Sequence, residues 1–155
     1  MKFVLIFLGK TREKYLDQGI RDYAQRLSRY VPIEIKVLKT KHAGNDVDQV
    51  IMSHEAEQLL SHTAKKSLAV ALDPGGRLYD SPGIAELFTN WENRGIQTVS
   101  FLIGGHLGLD KKVLDRADTC WSLSRLTFTH EMTRLILLEQ LYRACSIKAG
   151  HNYHK

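Results

Sequence analysis

Three short stretches of this sequence carry residue types that suit a flat ligand with a polar edge. They are Leu72-Asp73-Pro74-Gly75-Gly76, Ile103-Gly104-Gly105-His106-Leu107-Gly108 and Leu123-Ser124-Arg125-Leu126-Thr127-Phe128. Glycine tolerates positive φ and lets a ligand approach the backbone closely. The third stretch sets main-chain N–H and C=O groups among Leu123, Leu126 and Phe128, which suits a heterocycle whose edge needs hydrogen bonds. Together the three could hold a nucleoside. Taken singly, each glycine stretch is more often a plain turn, and Gly104-Gly105 lacks the G-x-G-x-x-G spacing of a dinucleotide site. A fourth stretch, Ala149-Gly150-His151-Asn152-Tyr153-His154-Lys155, places an aromatic ring, two imidazoles and a lysine after a very apolar segment. A free tail is usually silent, but this mixture can stack on a base and bind phosphate.

Other chemistries are excluded by what the chain lacks. There is no P-loop lysine, no H-E-x-x-H and no G-x-S-x-G, which argues against common nucleotidases, zinc proteases and α/β hydrolases. Cys120 and Cys145 are the only cysteines. Their spacing fits no metal motif, so they read as buried reduced thiols, and no metal is expected. His54 and His62 read as solvated on a polar helix face.

The elements that must position these stretches follow from hydrophobic periodicity. Lys2–Leu8, Ser67–Leu72 and Gln97–Ile103 are apolar runs of strand length, Ile33–Leu38 alternates, and a short strand starts at Thr119. Between them lie helical patterns at Thr11–Tyr30, where Tyr15, Leu16, Ile20, Tyr23, Leu27 and Tyr30 mark the apolar face, and at Asp46–Thr63. Further helices follow, from Ser81-Pro82 to Trp91 and from Asp110 to Ala117. Asp73-Pro74-Gly75-Gly76 breaks the third strand sharply, and Lys39–Asp46 reads as a basic loop. The last helix opens after Thr129, a fair N-cap. Met132, Leu135, Ile136, Leu138, Leu141, Tyr142 and Cys145 form its apolar face, which Leu137, Ala144 and Ile147 widen. A helix so apolar needs cover on more than one side, and a partner subunit is expected to supply the second. The order predicts an α/β fold, a mostly parallel sheet with helices on both faces. Which strands are neighbours is left open.

At 155 residues the chain predicts one domain, 1–155, with 43% hydrophobic and 25% charged residues, a soluble globular balance. Its formal charge of +5 permits an anionic partner without demanding one. No run approaches the ~18 apolar residues of a membrane span, and the apolar N-terminus is too short for a signal peptide. A cytoplasmic protein is expected.

Four separated motifs then agree in order and spacing: Ile103-Gly104-Gly105, Leu123-Ser124-x-x-Thr127-Phe128-x-His130-x-x-x-Arg134, Glu139-Gln140-x-Tyr142-Arg143-Ala144, and the ending Tyr153-His154-Lys155. Over essentially the whole length they resemble the bacterial ribosomal RNA large-subunit methyltransferase H family. The resemblance implies a SPOUT-type α/β knot in the C-terminal part, a homodimer, S-adenosyl-L-methionine as donor, and N3 methylation of a pseudouridine in 23S rRNA on the assembled ribosome. By motif, Leu72, Gly104, Leu123, Ser124, Arg125, Leu126, Thr127 and Phe128 correspond to cofactor contacts. His154 is the candidate proton acceptor, beside Tyr153, with the cofactor's own carboxylate or water as alternatives, and Arg143 would bind phosphate or orient the base, its alternative being a helix-face salt bridge. Lys39, Lys41, Arg12 and Lys14 are candidate phosphate contacts. The competing function is a non-catalytic, nucleotide-responsive protein that binds the ribosome through the same cleft.

Overall fold

Successive residues of a strand point to opposite faces, and in the first strand, β1 (Lys2–Leu8), both sets are apolar. Phe3, Leu5 and Phe7 belong to one core and Val4, Ile6 and Leu8 to another. Such a strand has to be covered on both sides. The computed structural model, which describes residues 1–40, 46–151 and 153, shows how. After β1 come α1 (Lys14–Leu27), β2 (Ile33–Leu38), α2 (Asp48–His62), β3 (Leu68–Leu78) and α3 (Ser81–Asn93). They are followed by β4 (Thr98–Ile103), α4 (Lys111–Arg116), β5 (Thr119–Ser122) and α5 (His130–Lys148). The five strands form one sheet in the order β2-β1-β4-β3-β5, every pair parallel. Helices α1, α3 and α5 cover one face, through Ile20, Leu27, Phe88, Trp91, Leu137 and Leu141. Ala56 and Leu59 of α2 and Val113 of α4 cover the other.

The α/β expectation holds, and three local expectations are corrected. The stretch Asp73–Gly76 does not end β3: the strand runs on to Leu78, with a register shift at which both Leu72 and Arg77 pair with Trp121. Only glycine fits at Gly76, since a Cβ there would lie 2.6 Å from the carbonyl carbon of Trp121 and 2.8 Å from the Cys120 oxygen. Tyr15, expected on the buried face of α1, is 66% exposed, because the face turned to the core runs through Leu16, Ile20 and Leu27 and Tyr15 lies about 100° around the helix from Leu16. In α5 the buried residues are Leu137, Leu138, Leu141, Ala144 and Cys145, together with Glu131, Arg134 and Ser146, so Leu138, Leu141 and Cys145 of the expected face are turned inward. Met132, Leu135, Ile136 and Tyr142 are half-buried instead. Much of the second side of α5 is covered within the chain by α1, where Gly19 packs so closely on Leu135 that a Cβ would lie 2.9 Å from it.

Caps fix the helix starts that matter. Thr129 Oγ1 accepts the Met132 N–H at 3.2 Å, as its position before α5 predicts. Asp80 accepts the Gly83 N–H at 2.8 Å and so, rather than Ser81, caps α3. Helix α1 has no capping side chain of its own. Its cap comes from α5, whose Glu131 carboxylate accepts the N–H groups of Arg12 (3.0 and 3.1 Å) and Glu13 (3.1 Å).

Candidate functional site

The carboxyl ends of β3, β4 and β5 open into a cleft of about 640 Å³, a size suited to a small ligand. Of the residues expected to hold a nucleoside cofactor, Leu72, Gly104, Leu123, Ser124, Leu126, Thr127 and Phe128 line it. Arg125 is exposed and does not. The loop after β5 is folded on its own polar groups. Ser122 Oγ donates to the Ser124 carbonyl at 2.8 Å, and the Leu126 N–H donates to Ser124 Oγ at 2.9 Å. That turn leaves the Leu126 side chain 72% exposed at the mouth of the cleft.

The glycines here are structural as well as permissive. A Cβ on Gly104 would lie 2.7 Å from the backbone of Gly108, and one on Gly105 would lie 2.8 Å from the Glu55 carboxylate of α2. Gly108 closes the turn with a φ of +84°. The turn reading and the ligand reading of this stretch are therefore both served by the same geometry.

Residues without an assigned role also line the cleft: Asp73, His106, Thr129, His130 and Thr133. Asp73 Oδ1 accepts the Gly75 N–H at 2.8 Å, which holds the bulge of β3 in shape. His130 is half-buried, and burial, aided by Arg134, His106 and Arg12 and opposed by Glu131, pushes its imidazole below the ordinary value. A signal for His130 existed in the sequence, since it follows the α5 cap directly and so must sit where the loop meets the helix.

Beneath the cleft a buried cation ties two elements together. Arg134 is fully buried; its Nη2 donates to the Leu8 carbonyl at 2.6 Å and its Nη1 to Thr11 Oγ1 at 3.0 Å. Its guanidinium also lies 4.8 Å from the centre of the Phe7 ring. Burial lowers the Arg134 pKa, and the Glu131 charge works against that. Glu131 itself sits below the usual carboxylate value: burial raises it, but the N–H groups of Arg12 and Glu13 and the Arg134 charge prevail. This pair fixes the loop carrying Arg12 and the start of α1 at Lys14, both residues exposed, at the carboxyl end of β1. Lys39 stands at the same end, after β2, and Lys41 lies outside the described residues.

The expected catalytic residues gather elsewhere. Arg143 donates to Glu139 through Nε at 3.0 Å and lies 4.7 Å over the Tyr153 ring. That hydrogen bond to Glu139 raises the Arg143 pKa, so the salt bridge offered as its alternative is present. Tyr153 Oη also reaches Glu139 (3.3 Å) and Tyr23 (3.0 Å), and burial followed by the Tyr23 bond pushes its phenol upward. His154 lies outside the described residues. Arg143 is 13 positions beyond His130 on α5, about 20 Å along the helix at ~1.5 Å per residue. Within one chain, the tail group and the cleft are thus held apart.

Cys120 and Cys145 are free thiols; burial raises both, Cys145 to about 12. Among the described residues no group of three or more His, Cys, Asp or Glu could hold a metal, and no helix is long and apolar enough to cross a membrane.

An all-parallel sheet with helices on both faces and a cleft among the loops at one end defines an α/β fold of the kind that gathers ligands there. A family model described as "Predicted SPOUT methyltransferase" matches residues 1–154. In fold the chain is similar to the structure of a probable methylase family protein from Haemophilus influenzae, with a TM-score of 0.55 and 13% identity, over 99% of this chain and 70% of that one. It is 44% identical to a ribosomal RNA large subunit methyltransferase H from Desulfotalea psychrophila, over 100% of both chains. It is 41% identical to one from Acetivibrio thermocellus, again over 100% of both. The chain belongs to the ribosomal RNA large subunit methyltransferase H family, within the SPOUT methyltransferases.

Proposed function

We propose that this protein is an rRNA methyltransferase that transfers a methyl group from S-adenosyl-L-methionine to N3 of a pseudouridine in 23S rRNA, on the assembled ribosome and in the cytoplasm. The observation that carries the reading is the lining of the 640 Å³ cleft. It combines the apolar side chains Leu72, Ile103, Leu123, Leu126 and Phe128 with main-chain polar groups, and its described lining contains no lysine or arginine and one carboxylate, Asp73. That donor set fits an adenosine with a cationic sulfonium, and it would suit a phosphate-bearing cofactor poorly, because a carboxylate attracts cations and repels phosphate.

S-adenosylmethionine, when bound, supplies a methyl group already activated by its positive sulfur. The chain then has to align the nucleophile and take the N3 proton. The loop Leu123–Phe128 would hold the adenine, and Asp73 would face the positive charge. Tyr153 and Arg143 would hold the target nucleotide, and His154 is the proposed proton acceptor.

These two groups meet if the protein is a homodimer with composite sites. Met132, Ile136, Glu139 and Arg143 recur at i, i+4, i+7 and i+11 on α5, and each is half-buried. A second α5 laid antiparallel on this stripe in an isologous contact would carry its own Arg143 and Tyr153 toward this chain's cleft. The C-terminal knot is proposed with it, on the strength of the match to the SPOUT methyltransferase model over residues 1–154.

The test is transfer of labelled methyl from S-adenosylmethionine to ribosomes from cells lacking this protein, followed by nuclease mapping. Label on one pseudouridine is expected. His154→Ala should lower turnover at unchanged cofactor affinity. Mixing an inactive Arg143→Ala chain with an inactive Asp73→Lys chain should restore about a quarter of wild-type activity, because half the dimers then hold one intact composite site. No recovery in exchanged mixtures would place both groups on one chain and overturn the composite arrangement.

A further inference from the structure

A second cleft, of about 610 Å³, opens at the opposite end of the same strands. Its walls come from the residues before β3, the turn between α3 and β4, and the link from α4 to β5. Lys65, Lys66, Arg94 and Arg116 stand around it, against a single carboxylate, Asp118, among its described lining residues. That carboxylate is already engaged: it accepts the Ala69 N–H at 2.7 Å and lies 3.9 Å from Arg116. Lys65, Lys66 and Arg94 are exposed, and their side-chain cations have no hydrogen-bond or ion-pair partner among the described residues. Elsewhere Lys2, Lys111 and Lys148 each sit against a carboxylate. Three uncompensated cations around one concavity repel one another, and a polyanion placed among them relieves that repulsion.

The floor says what kind of polyanion fits. Trp91 and Trp121 stack at 5.7 Å, and they are only 4% and 1% exposed. The Tyr79 ring in the same lining is half-buried, with Arg77 4.8 Å over it and the Trp121 ring 5.5 Å away, so exposed charge dominates what the cleft offers, and charge leaves base identity unread. The cofactor cleft, by contrast, has no lysine or arginine in its described lining, so a large anionic substrate must be anchored beyond it. From Leu68 to Leu72 along β3 the two ends are about 13 Å apart at ~3.3 Å per residue.

We propose that this basic cleft binds the phosphodiester backbone of the RNA substrate, at a site separate from the nucleotide to be methylated. The proposal rests on the reading of the chain as an rRNA methyltransferase. Lys65, Lys66 and Arg94 hold the backbone as phosphate contacts, which position without specifying sequence.

The experiment compares wild type with the triple variant Lys65→Glu/Lys66→Glu/Arg94→Glu. Binding to protein-free 23S rRNA is measured across about 50 to 200 mM salt, and KM for ribosomes is measured in the methyl-transfer assay. Loss of three phosphate contacts should make the log–log salt slope shallower by about 2 to 3 and weaken RNA binding at least about tenfold. KM for ribosomes should rise, with cofactor affinity at the wild-type value. If the triple variant fails to fold, the Lys65→Gln/Lys66→Gln/Arg94→Gln variant carries the same test. An unchanged slope and affinity for rRNA would overturn the proposal. So would a raised KM for ribosomes with rRNA binding intact, since the partner would then be a ribosomal protein. Absence of methyl transfer by wild type would sink the enzymatic reading alone, because rRNA binding by the variants still scores the cleft.

Discussion

The two clefts lie at opposite ends of the same parallel strands, and Trp121 contributes to the walls of both. Their linings nonetheless differ in sign. The carboxyl end offers apolar side chains, main-chain polar groups and Asp73; the amino end offers four cations around one engaged carboxylate. They differ in rigidity too. At the carboxyl end, Gly76 and Gly104 pass within contact distance of other backbone, and Glu131 and Arg134 tie α5 to the loop after β1. The cations of the amino-end cleft are long exposed side chains, Lys65, Lys66 and Arg94 on turns and Arg116 at the end of α4. A site that must align a reacting atom needs fixed walls, whereas attraction to a polyanion tolerates loose ones. On the proposed reading, one small sheet separates the two tasks by placing them at its two ends.

The contrast in rigidity can be broken most severely at the glycines. Gly104→Ala would drive a Cβ to 2.7 Å from the Gly108 backbone, where no flexible side chain can give way. A loss of about 3 kcal/mol or more is expected, as for other strongly strained core substitutions, and thermal unfolding would show it as a fall in Tm of very roughly 10 °C. A fully stable Gly104→Ala protein would mean that the turn is softer than its geometry.

Arg134→Met tests the tie beneath the cleft. It keeps the length of the side chain and removes the donors to Leu8 and Thr11. A cost of about 2 to 4 kcal/mol is expected from the unpaired groups left behind. Cofactor affinity should fall with it, while rRNA binding at the other end is retained. Equal losses at both ends would show a global effect and dissolve the contrast.

Charge is tested more gently at Asp73. Asn in its place can still accept the Gly75 N–H, so the bulge should hold. Removing the negative charge should weaken S-adenosylmethionine binding about tenfold, some 1.4 kcal/mol, and leave the neutral adenosine moiety bound as before. Calorimetric titration with each ligand separates the two outcomes.

The smallest effect is in acid. Glu131 is lowered from 4.5 in the folded protein, so its stabilising contribution is complete above the unfolded value and is lost as pH falls through the folded one. His130 is lowered from 6.5; its contribution is likewise complete above 6.5 and is lost as pH falls toward its folded value. Denaturation curves should show stability declining in two stages below pH 6.5. His130→Gln should flatten the upper stage and Glu131→Gln the lower one, and curves of unchanged shape would remove these groups from the acid response.

Much of the carboxyl-end cleft was legible in the sequence because its parts are local. Leu72, Gly104 and the run from Leu123 to Phe128 each follow an apolar strand, and a parallel sheet must bring the carboxyl ends of its strands to one side. Arg125 missed the cleft because a loop's turn decides which of its side chains face inward. Arg143 and Tyr153, ten positions apart, meet where the chain folds back on the end of α5, and their distance from the cleft emerges only from the length of α5. The basic cleft was invisible. Its cations come from positions 65, 66, 94 and 116, two separate turns and the end of α4, with no shared motif.

The sequence by itself determined the succession of elements, the two-sided burial of β1 and the start of α5 at Thr129, because periodicity and capping act within a few residues. Tertiary structure alone decided the strand order β2-β1-β4-β3-β5, the continuation of β3 past its glycines and the capping of α1 by Glu131. It also decided which dispersed charges face one another. Those outcomes depend on contacts between residues far apart in the chain, where the favourable pairing is set by the packing of the whole sheet and no local pattern records it.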